Sequence, residues 1–182
     1  MEKKESGSKK HYINNADFCK ALIDYKSKVE LSITNNTTKP AIPNYIGECF
    51  LKIAHGLSHK PNFINYSYRD EMIADGIENC IMYFENFDPL KSSNPFAYFT
   101  QIVYYAFLRR IQKEKKQMYV KYKSTEQFGI LDESELLGYE EATGKQFELY
   151  DNISDFISTF EESKKKKKEL KKSKGIENFL ET

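Results

Sequence analysis

A chain of 182 residues can bury one moderate core with extensions, which excludes two full-size domains. Its 28 basic and 27 acidic side chains nearly cancel to a net charge of +1, yet they are segregated along the chain. No apolar run is long enough to cross a bilayer and the leader MEKKESGSKKH (1–11) is polar, without a secretory signal, so a soluble intracellular protein with a disordered leader is expected.

After the leader, Phe18, Leu22, Tyr25 and Val29 repeat at helical spacing, with Asn14 or Asn15 as the cap. The breaker NNTTKPAIP (35–43) ends this first helix. A second is expected from Asn44 to Ser58, with Ile46, Phe50, Ile53 and Leu57 on its apolar face. Ser67 and Asp70 have the spacing of a capping box, opening a third helix through Met72, Ile73, Ile77, Cys80, Ile81 and Phe84. Asp70, Glu71, Asp75 and Glu78 make an acidic ridge opposite that stripe. Such a ridge is commonly no more than a solvated face.

The turn FDPLKSSNP leads to the most informative stretch, NPFAYFTQIVYYAFLRRIQKEKK (94–116). Asn94 can cap it, and Pro95 stands where a missing N–H has no consequence. At about 100° per residue, Phe96, Phe99, Val103, Ala106, Phe107 and Ile111 form a core stripe. The opposite side carries Tyr98, Gln101, Tyr105, Arg109 and Gln112. A solvated face normally shows Glu, Lys and Ala, so tyrosines followed by arginine suit a flat, anionic ligand such as unpaired bases. The alternative is that these tyrosines pack beneath a neighbouring element, as half-buried tyrosines often do. The basic block continues directly from this helix: Arg109, Arg110, Lys113, Lys115, Lys116, Lys121 and Lys123.

Beyond Lys123 the pattern weakens. Residues 124–162 read as an acidic linker with one short amphipathic helix over Phe147, Leu149, Tyr150, Ile153, Phe156, Ile157 and Phe160. Residues 163–174 are lysine-rich and expected to be disordered, more often a solubilising linker than a docking site. The final residues 175–182 place Ile176, Phe179 and Leu180 on one turn, enough to press into a groove, or simply a frayed terminus.

Chemistry-bearing clusters are few. Cys19, Cys49 and Cys80 are odd in number, widely spaced and embedded in apolar patterns, which suits reduced core thiols better than disulfides or zinc. His55 and His59 stand four apart on a helix, but no third ligand or paired nucleophile accompanies them. With no phosphate-binding glycine loop either, neither an enzyme nor a cofactor or metal site is expected.

In order and spacing, DEMIADGIENCIMYFENFDP followed by NPFAYFTQIVYYAFLRRIQKEKK resembles region 2 of the bacterial sigma factors. The segments NNADFCKALIDYK, EMIADGIE, NPFAYFTQ and the terminal ENFLET are similar, in that order, to the late-transcription sigma factors of T4-type bacteriophages. The resemblance covers roughly residues 12–123 and the last eight. It implies an all-α sigma region 2-like domain over 12–123 with a flexible C-terminal extension. It implies that Asp70, Glu71, Ile73, Ala74, Asp75, Glu78 and Asn79 bind the largest-subunit coiled coil of bacterial core RNA polymerase. Asn94, Phe96, Tyr98, Thr100, Gln101 and Tyr104 would then face promoter DNA at a TATA-like −10 element, with Tyr105, Arg109, Arg110 and Lys113 beside them. Ile176, Phe179 and Leu180 would dock on the phage DNA sliding clamp.

The implied location is the cytoplasm of the infected host, with no membrane partner and a separate phage late co-activator left open. The chain departs from primary sigma factors in lacking their paired tryptophans, near whose positions Gln101 and Ile102 stand, and in lacking a helix-turn-helix after Lys123. Readings of other classes are an adaptor joining polymerase to the clamp without reading DNA, and a nonspecific single-strand-binding protein.

Overall fold

The computed structural model of the chain describes residues 12–89, 91–128 and 144–173, with backbone alone at 144–150 and 170–173. All regular structure among these residues is helical: α1 (Asn15–Thr34), α2 (Asn44–Ser58), α3 (Arg69–Tyr83), a 3₁₀ turn (Phe84–Asn86), α4 (Pro95–Gln127) and α5 (Gly144–Ser173). The described residues fall into two compact units, divided after Ile111, so α4 contributes to both. The domain expected over 12–123 spans this division, with its last residues in the second unit.

In the first unit, local chemistry sets the helix starts. The Asn14 side chain accepts from the Ala16 N–H at 3.0 Å, capping α1. The Asn94 side chain accepts from the Ala97 N–H at 3.0 Å, with Pro95 as the first residue of α4. Asn15 ties the two starts together. Its amide donates to the Ser93 carbonyl and accepts from the Phe96 N–H, both at 3.1 Å. The capping box expected at Ser67 is not the start of α3; Tyr68 precedes the first turn and no side chain caps it. Asp70 and Glu71 still oppose the positive end of that helix.

The core is aromatic. Phe18, Phe50 and Phe99 are fully buried and mutually in contact, with Phe50 and Phe99 centroids 4.8 Å apart. Tyr25 is buried as well and donates its hydroxyl hydrogen bond to the Pro40 carbonyl at 2.9 Å, as a buried phenol requires. Lys26 bonds the Phe87 carbonyl and Lys39 pairs with Glu85, fastening the turn after α3 to the α1 side.

Gly76 sets how closely α3 approaches α4. A Cβ there would lie 3.0 Å from a Val103 methyl and 3.2 Å from the Phe107 ring. The glycine in EMIADGIE is therefore explained by packing.

In the second unit, α4 runs on to Gln127, past the weakening of its apolar pattern. The single short helix expected between 147 and 160 is instead α5, 30 residues long, and it carries the lysine run 163–173 that was expected to be disordered. The reason is local. Lysine and glutamate are good helix formers, and an existing helix extends without a new nucleation cost. The leader 1–11, residues 129–143 of the acidic stretch and the terminal motif at Ile176, Phe179 and Leu180 lie outside the described residues.

Candidate nucleic-acid interface

The candidate face sits on the first-unit part of α4. Its buried stripe is Phe99, Val103, Ala106, Phe107 and Ile111, as the spacing predicts, with Phe96 half-buried against the edge of Tyr12. Away from the core, Tyr104 is 39% and Tyr105 50% exposed, their rings meeting edge to face at 5.8 Å. Tyr104 is braced by Phe63 at 5.7 Å. Gln101 and Arg109 are exposed on the same side of the helix. A rigid tyrosine pair beside an amide and a guanidinium can stack a base and bond its edge or phosphate.

Tyr98 does not belong to this free surface. Its ring packs on Phe87 at 5.3 Å and on Phe99 at 5.1 Å, and burial raises its phenol pKa. Its first role is to close the core, with an edge left exposed. Thr100 is half-buried and bonds back to the Phe96 carbonyl at 2.7 Å. Asn94 is occupied as the cap of α4. Lys113 is exposed but lies in the second unit.

The two arginines differ sharply. Arg110 makes a bidentate pair with Asp75, Nε to Oδ2 and Nη2 to Oδ1 at 2.7 Å each. Arg109 donates from Nη2 to the Asn79 Oδ1 at 2.6 Å, and Asn79 in turn donates to the Asp75 carbonyl at 2.7 Å. Asn79 is neutral, so Arg109 is oriented while its charge stays uncompensated by that contact. Arg110 faces a carboxylate that neutralises it. Of the basic residues expected to hold phosphates, Arg110 is thus largely committed to the fold. The signal was present in the sequence: Arg110 stands two turns after Val103 and hence on the core side.

The expected polymerase-binding residues also divide. Asp70, Glu71, Ala74 and Glu78 are exposed, whereas Ile73 is buried in the core and Asp75 and Asn79 face the α4 arginines. Glu71, Ala74 and Glu78 share one side of α3. That side continues into Ile81 and Met82, 45% and 61% exposed. Ile81 was expected in the core stripe and is corrected to the surface, because it stands seven residues after Ala74 and three after Glu78 on the exposed side of the helix, while Phe84 is buried as expected.

No protein-family model and no curated protein matches the chain.

Among the described residues, no group of three or more His, Cys, Asp or Glu could hold a metal ion. The His59 ring bonds the His55 carbonyl at 2.7 Å, a helix-end contact. Cys80 is deeply buried, which pushes its thiol up to about 12 and leaves it unreactive at neutral pH. No helix among the described residues is long and apolar enough to cross a membrane.

Proposed function

We propose that this protein is a sigma factor of the late-transcription type, directing a bacterial core RNA polymerase to short TATA-like −10 elements and opening them. The observation that carries the reading is the exposed Tyr104–Tyr105 pair with Gln101 and Arg109, on the helix that begins NPFAYFTQ. The exposed Glu71–Ala74–Glu78 side of the EMIADGIE helix supports it as a polymerase-facing surface. In this reading the protein is not itself an enzyme. The tyrosines capture unpaired non-template bases, at roughly 1–3 kcal/mol per stacked base, and Arg109 holds a phosphate.

Without the paired tryptophans of primary sigma factors, this chain holds a promoter weakly in this reading. A terminal motif at Ile176, Phe179 and Leu180 that docks on a DNA sliding clamp compensates by raising effective concentration. The decisive experiment is a permanganate footprint on DNA with a TATA-like −10 element, with and without core polymerase. Thymine reactivity confined to that element and dependent on both proteins is expected. A stable complex with core that never opens DNA would replace this reading with the adaptor.

A further inference from the structure

Two lysine runs far apart in sequence become neighbours within the second unit. Its register is fixed by side-chain contacts. Tyr122 meets Phe156 at 5.5 Å, Tyr119 stacks on Phe160 at 4.5 Å, the Tyr119 hydroxyl donates to Glu161 at 2.9 Å, and Lys123 lies 3.6 Å from the same carboxylate. As numbers fall along α4 they rise along α5, so these segments run antiparallel. Extending both by one turn beyond Tyr119 and Phe160 brings Lys115 level with Lys164, where the run Lys164–Lys168 begins, with Lys116 beside it.

The seam changes chemistry at that level. On one side of it stand Tyr119, Tyr122, Ile153, Phe156, Ile157 and Phe160, with Ile153 and Ile157 buried. Three and four residues back from Tyr119 come Lys116 and Lys115; four and seven residues on from Phe160 come Lys164 and Lys167. Lys164 is accommodated, its ammonium 5.2 Å and 5.0 Å from the Tyr119 and Phe160 ring centres. Beyond it the lysines are exposed, and none of Lys115, Lys116, Lys166, Lys167 or Lys168 forms an ion pair among the described residues. Like charges are thus gathered within a Debye length of one another, an arrangement relieved by a polyanion.

We infer that this basic fork binds the sugar–phosphate backbone of duplex DNA without reading sequence. Lys164, Lys167 and Lys168 recur at i, i+3 and i+4 and so share one side of α5, where their charges complement the line of phosphates on a duplex, about one charge per 1.7 Å of axis. The nearby aromatic rings are engaged by each other and by Lys164, which favours backbone contact with a duplex over base stacking on a single strand. None of these lysines belongs to the promoter-reading set, and the binding needs neither polymerase nor a promoter.

The test is fluorescence anisotropy of a short scrambled duplex titrated with the full chain over a salt series. In a variant combining Lys115→Gln, Lys116→Gln, Lys167→Gln and Lys168→Gln, affinity at low salt should fall by about tenfold or more. The slope of log affinity against log salt should drop by about 0.9 for each phosphate contact removed. The matching Lys→Arg variant should retain binding. Because the Gln variant removes repulsion, it should melt no lower than wild type at low salt, which separates loss of binding from loss of fold. Unchanged affinity and slope overturn the inference, and stronger competition by polyglutamate than by duplex DNA reassigns the fork to an acidic protein. A failed promoter footprint leaves this result standing, so the two readings fall separately.

Discussion

Arg110 grips Asp75 through two parallel hydrogen bonds of 2.7 Å, joining α4 to α3. The pair takes one member from the acidic ridge and one from the basic block, the two charged features that a sequence reading assigns to different partners. At 17% and 29% side-chain exposure it lies between a surface pair, worth about 0–1 kcal/mol, and a buried one, whose rupture costs about 3–5 kcal/mol. Arg110→Ala should therefore destabilise by about 1–3 kcal/mol in urea unfolding. Arg109→Ala should stay within about 0.5 kcal/mol of wild type and instead weaken promoter binding, with a shallower salt dependence. The opposite ranking would reverse the assignment of the two arginines.

Tyr105 and Tyr98 should separate in the same way. Tyr105→Ala removes an exposed ring and should leave the melting temperature nearly unchanged while abolishing permanganate reactivity at the −10 element. Tyr98→Ala strips packing from Phe87 and Phe99 and should cost about 2–4 kcal/mol, with opening lost only in proportion to the folded fraction. Full opening activity in a Tyr104→Ala, Tyr105→Ala double variant would dismiss this face as a base-stacking surface.

Gly76→Ala tests the close approach of α3 and α4. Overpacking against Val103 and Phe107 should cost about 1–3 kcal/mol, partly offset by about 0.5–1 kcal/mol of better helix propensity. Adding Val103→Ala should recover part of the loss. Additive destabilisation in the double-mutant cycle would show that the two sites do not share the strain.

Cys80 gives a pH and reactivity prediction. Its thiol is raised from an ordinary 9.0 to about 12 by burial, so folding favours the protonated form. The contribution is fully present below about pH 9 and is lost as pH rises toward about 12. Unfolding free energy should decline over that interval in wild type and less so in Cys80→Ala. Under native conditions at pH 8, half-buried Cys19 should be alkylated before buried Cys49 and Cys80, by mass spectrometry of labelled peptides.

Elements whose signals are local were legible in the sequence. Periodicity gave α2 its bounds, Asn94 gave the cap of α4, Asn14 or Asn15 that of α1, of which the structure takes Asn14, and the Phe99–Ile111 stripe gave the core face. The same periodicity exposed Tyr105 on the far side. Helix geometry already put Arg110 on the core side of α4, but its partner could not be read locally, because Asp75 stands 35 residues away: in the packed fold Asp75 takes Arg110 while Asn79 merely orients Arg109. Tertiary structure also decided that Gly76 is a contact point and that Tyr98 leans into the core. The lysine run showed the limit most clearly. Composition alone read it as unstructured, since it buries no apolar area, but a helix begun upstream on Ile153, Phe156 and Ile157 carries it on, and the antiparallel pairing then sets its charges beside those of α4.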